Sequence, residues 1–152
     1  MRFSSTTVPV AAIALLVSCS RADDRCDPVQ TQIVTNYSLA GCASPVGVCT
    51  SGNLTSGDLA GTTRFTALTM QQGPAPDAIY YTGNLVITTP SGSVTVRDSG
   101  VLDATTGAYF ELQQVLSGTE VYQGVTGTFT SQGYATATGF AGDLTGALCG
   151  VP

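Results

Sequence analysis

From Val29 onward, glycine and proline interrupt the chain at short intervals, and the residues between them are rich in Val, Ile, Thr, Tyr and Phe. Long helices are excluded by such punctuation, because glycine and proline destabilise helix interiors while β-branched and aromatic residues suit a pleated strand. The runs with fewest breakers are PVQTQIVTNYSL, GVCTSGNL, GTTRFTALTM, AIYYTGNLVITT, GSVTVRDSGVL, AYFELQQVL, GVTGTFTSQGYATA and FAGDLTGALC. These are eight candidate strands, with no amphipathic helix among them. TPSGS at 89–93 and DATTG at 103–107 separate runs of similar length, as hairpin loops do.

Eight antiparallel strands in one small domain make either a closed barrel or a two-layer sandwich. Threonines, serines and glycines blur the alternation on both faces, which fits a barrel whose strands must bend. The predicted fold is therefore all-β, an eight-stranded antiparallel barrel. The stretch SGTEVYQGVTGTF at 117–129 places three glycines in a strand-like region, and interior glycines there need a geometric role such as a bulge or a corner. GDLAG at 57–61 is echoed by GDLTG at 142–146, too short a match to establish a repeat.

The first residues read as an export signal: Arg2, then an apolar run from Val8 to Val17, then small residues. That run is shorter than the roughly 20 residues a spanning helix needs. Its end, Leu16-Val17-Ser18-Cys19, resembles a bacterial lipobox, which makes residues 1–18 the signal and Cys19 the lipidated first residue of the mature chain. Ordinary cleavage after Ala22 is the alternative and gives a freely secreted protein. Residues 19–28 are read as a polar tether and 29–152 as a single barrel domain. Five cysteines leave one over in an exported protein; assigning Cys19 to lipid leaves Cys26, Cys42, Cys49 and Cys149 for two disulfides. With no histidine and no CxxC pair, these four are structural cysteines rather than zinc ligands.

After Cys19, four arginines face ten acids, a net charge of −6, and the chain has no lysine. Nucleic acid is thereby disfavoured as a partner, since its binding depends on neutralising phosphates. Membrane contact is expected only through the lipid anchor, and homo-oligomerisation is left open. Nucleotide fingerprints and Ser-His-Asp or Cys-His arrangements are missing, so no cofactor is expected.

SGTEVYQGVTGTF resembles the G-[ST]-x-x-[YF]-x-G-[VA]-x-G signature of the allene oxide cyclase and dirigent superfamily, through Gly118, Thr119, Tyr122, Gly124, Val125 and Gly127. The order of segments from Cys49 to Cys149 resembles its bacterial members: YYTGNLVITTPSGSVTVRDSGVLD, then Phe110-Glu111, then the glycine signature, then GDLTGALC. The resemblance implies an eight-stranded barrel around a largely apolar cavity that holds a small hydrophobic molecule in one conformation. Barrels of this size either fill with side chains or hold one small ligand. Because such a barrel makes its first and last strands neighbours, it suggests Cys49–Cys149 as a staple and Cys26–Cys42 as a tie, one of three pairings open to four cysteines. The plant enzymes' catalytic residues have no motif-anchored counterpart here.

Two functions follow as expectations. The first is an exported barrel that binds a small hydrophobic molecule or serves as an envelope module. The second is a cofactor-independent cyclase, isomerase or stereo-directing enzyme acting on an apolar oxygenated substrate. Glu111, Arg97 and Arg64 are the candidate catalytic groups, and Tyr81, Tyr109 and Tyr122 the candidate ligand contacts; Tyr80 and Tyr134 are further aromatics of the same kind. On the strand after 108, Tyr109, Glu111, Gln113 and Val115 share one face and Phe110, Leu112, Gln114 and Leu116 the other. The second set is the more apolar and is predicted to pack inward. That choice leaves Glu111 solvated or paired with an arginine, and both arginines paired with Glu111, Asp98 or Asp103.

Overall fold

The computed structural model describes residues 25–151. The residues read as an export signal, and Cys19, lie outside them. Eight strands follow in chain order: β1 (Cys26–Tyr37), β2 (Cys49–Leu54), β3 (Gly61–Gln72), β4 (Ala78–Thr89), β5 (Gly92–Asp103), β6 (Ala108–Gly118), β7 (Thr126–Ala135) and β8 (Gly139–Cys149). Each pairs antiparallel with the next, and β8 returns to β1, so the sheet is a closed eight-stranded barrel. Closure leaves no sheet edge unpaired. The loop 89–93 is a tight hairpin in which Thr89 faces Gly92, and 103–107 turns between Leu102 and its partner Tyr109. Register shifts at Ala67/Thr69 and Thr95/Val96 bend the wall where it curves.

The two ends of the bore differ. One is packed by Leu54, Leu59, Leu85, Ile87, Val94, Val96, Tyr122, Val125, Phe129, Leu144 and Leu148, all buried. The glycine signature belongs to this closed end. Between β6 and β7 the chain makes a single 3-10 turn, Glu120–Tyr122, that drops the Tyr122 ring into the core. Its hydroxyl donates to the Asp58 carbonyl at 2.8 Å. Gly124 leaves the turn at φ +81°, a left-handed conformation costly for other residues. At Gly118 a Cβ would lie 2.1 Å from the Tyr122 carbonyl oxygen. The interruptions therefore fold a plug.

Both disulfide pairings differ from expectation: Cys26 joins Cys149, and Cys42 joins Cys49. The seam staple exists, but its N-terminal half is Cys26. β1 begins at Cys26 rather than after residue 28, so Cys26, Asp27 and Pro28 belong to the barrel, and Cys26 stands directly opposite Cys149. Cys49 heads β2, which β1 separates from β8. It is free to clip the β1–β2 loop instead. The GDLAG echo has no structural meaning, because 57–61 runs from a loop into the start of β3 whereas 142–146 lies within β8.

Candidate functional site

At the other end of the bore the side chains do not meet. A cavity of about 70 Å³, partly open to solvent, remains among Ile33, Thr35, Thr50, Phe65, Met70, Tyr81, Leu85, Asp98, Leu102, Tyr109, Glu111 and Phe140. By the same measure one water needs about 10–15 Å³, so there is room for several waters or a ligand of a few heavy atoms. Inward glycines make space for the rings that shape it. A Cβ at Gly83 would strike the Phe65 ring, one at Gly100 the Tyr81 ring, and one at Gly142 the Tyr109 hydroxyl. A shallower groove on the outer wall, among Tyr80, Val101 and Phe110, contains no carboxylate.

The site's polar corner comes from four adjacent strands, β4 to β7. Tyr81 on β4 donates its hydroxyl to Glu111 Oε1 at 2.8 Å, and Gln113 Nε2 donates to Oε2 at 3.1 Å. Tyr109 and Ser131 share a hydrogen bond at 3.3 Å. Asp98 on β5 is only 1 % exposed, its register partner is Gln113, and neither Asp98 Oδ1 nor Gln113 Oε1 has a hydrogen-bond partner.

Burial dominates the electrostatics. Desolvation lifts Asp98 well above the usual carboxylate range, and the Glu111 charge lifts it further, with only partial relief from Arg97. Glu111 is also raised by desolvation, against the opposing donors Tyr81, Gln113 and Ser131. Glu111 has donors and Asp98 has none, and the two carboxyls bind and release protons as one interacting pair. Desolvation and the nearby carboxylates also raise Tyr81, while burial pushes Tyr109 up to about 12, so both are neutral phenols near neutral pH.

Of the candidate residues, Glu111, Tyr81 and Tyr109 converge here. Tyr122 instead plugs the opposite end. Arg64 and Arg97 stand exposed on the outer wall, and the ion pair found among the described residues is Arg25 with Asp27 at 3.9 Å, so the expected arginine pairs are not formed. Tyr80 and Tyr134 are exposed as well. The facing of β6 is the reverse of that predicted: Phe110, Leu112 and Leu116 are 46 %, 55 % and 50 % exposed, whereas Gln113 is fully buried and Glu111 faces the cavity. Asp98, expected only as an arginine partner, lines the site. Comparisons with protein-family models, curated proteins and solved structures found no match for this chain.

Proposed function

We propose that this is an exported, lipid-anchored barrel, similar to the allene oxide cyclase and dirigent superfamily, that binds a small and largely apolar molecule in the half-empty end of its bore. The observation that carries this reading is the asymmetry of the interior: one end is plugged by Tyr122 and the apolar core, and the other keeps a cavity with apolar walls and a polar corner. Ligand sites commonly combine these features. Two disulfides fit an oxidising compartment outside the cytoplasm. Cys19 supplies the anchor. Native mass spectrometry of the protein purified gently from its source, with organic extraction of whatever accompanies it, tests the reading. One small molecule per chain is expected; a bare chain in repeated preparations would count against it.

A second reading is favoured by the Tyr81–Glu111 hydrogen bond and the neighbouring Asp98. Two acids with unequal surroundings can divide the roles of proton donor and acceptor. On that reading the barrel is a cofactor-independent isomerase or cyclase with Glu111 as its acid–base group. Conversion of the extracted molecule by the native protein but not by Glu111→Gln supports it; equal recovery of unchanged molecule from both removes it.

A further inference from the structure

The polar corner has a surplus of acceptors. Asp98 and Glu111 both reach the cavity, while Arg64 and Arg97 lie on the outer wall and the chain has neither lysine nor histidine. The nearby donors are already engaged: Tyr81 and Gln113 serve Glu111, and Tyr109 and Ser131 share a bond. Asp98 Oδ1 and Gln113 Oε1, on register partners, accept from nothing. Such a corner is completed by a ligand that brings donors and positive charge. The surrounding walls include the rings of Phe65, Tyr81, Tyr109 and Phe140 and the thioether of Met70. Aromatic rings attract organic cations as well as burying their hydrocarbon.

Three ligand chemistries can be compared. A carboxylate would add a third acid where two already repel each other. A neutral alcohol would satisfy one acceptor and bring no charge to the ionised member of the pair, which Arg97 on the outer wall offsets only in part. An ammonium brings up to three N–H donors and the missing charge, in a site whose low polarity strengthens the attraction.

We propose that the cavity takes a small apolar amine in its ammonium form, with the nitrogen at Asp98 and Glu111 and the hydrocarbon among Phe65, Met70, Leu102 and Phe140. This rests on reading the cavity as a ligand site and narrows the ligand to amines of a few heavy atoms. Bringing a cation to the acid pair favours its ionised form, so binding in mildly acidic solution releases a proton from Asp98 or Glu111. Tyr81 and Tyr109, the other titratable groups facing the pair, stay neutral throughout, and the Arg97 charge on the outer wall favours the ionised form of Asp98 only in part.

The test is titration of the purified protein with cyclohexylamine, cyclohexanol and cyclohexanecarboxylate, followed by ligand-observed NMR. Calorimetry of the amine in two buffers of different ionisation enthalpy counts the proton. The amine is expected to bind about tenfold or more tightly than the alcohol, with proton release, and the acid not at all. Asp98→Asn and Glu111→Gln, which keep side-chain shape, should erase the preference for the amine while retaining weak alcohol binding. Alcohol binding equal to or tighter than amine binding, or amine preference surviving in both variants, would overturn the ammonium proposal and leave the ligand site standing. Failure of all three compounds to bind would overturn both.

Discussion

At the scale of single residues, the informative finding is that the more polar face of β6 is the inner one. Choosing the face by apolarity selects Phe110, Leu112 and Leu116, and these side chains lie outside. Hairpin register carried the better signal. Val94 and Val96 fix the inward parity of β5, which continues through Asp98 to Leu102; the turn at 103–107 sets Leu102 opposite Tyr109, and Glu111 and Gln113 follow inward. The binary pattern fails where a wall surrounds a polar site rather than a core. The acid pair has a thermodynamic consequence. Asp98 and Glu111 hold protons in the folded chain to higher pH than in the unfolded one. Their effect on stability is therefore most favourable below their unfolded values of 3.8 and 4.5, and declines as pH rises from there toward the folded values. Asp103, exposed and lowered by the turn amides of Thr105 and Thr106, acts in the opposite direction. Melting temperature across pH 4–8 should fall less steeply with rising pH in Asp98→Asn and Glu111→Gln than in the native protein. A slope unchanged in both variants would mean that the pair does not hold its protons.

At the scale of elements, the strands were legible almost to their ends. The run at 78–89 coincides with β4, and those at 47–54 and 124–137 contain β2 and β7 with short overhangs. Breakers and β-branched residues act locally, so local sequence reports them well. The placement of the glycine signature at the plugged end was not legible, because it depends on which end of a closed sheet packs. Gly124 and Gly118 separate two reasons for glycine. Nothing lies within 4 Å of a Cβ built at Gly124, so Gly124→Ala should lose only the conformational term, about 1–2 kcal/mol. Gly118→Ala should lose more, because a backbone oxygen stands in the way. Urea denaturation measures both, and equal losses would contradict the close approach at Gly118.

At the scale of the whole molecule, stability depends on closing the seam. The Cys26–Cys149 bond spans 123 residues and Cys42–Cys49 only 7. In the chain-entropy picture the first stabilises by about 5 kcal/mol and the second by about 2.5. Replacing the seam pair by serines should therefore lower denaturation stability more than replacing the loop pair; the reverse order would show that the clip beside the cavity matters more than closure. The cysteine count allowed two bonds, but only the true start of β1 identifies the partner of Cys149. The same closed frame holds one end plugged and keeps a cavity at the other, and NMR contacts from an apolar probe test that division most directly. Cyclohexane added to the protein should give intermolecular NOEs to the methyl groups of Met70 and Leu102 and none to those of Leu54, Val94 or Leu148. NOEs confined to the outer-wall residues Leu112 and Leu116, or to the plugged end, would contradict a ligand site in the bore.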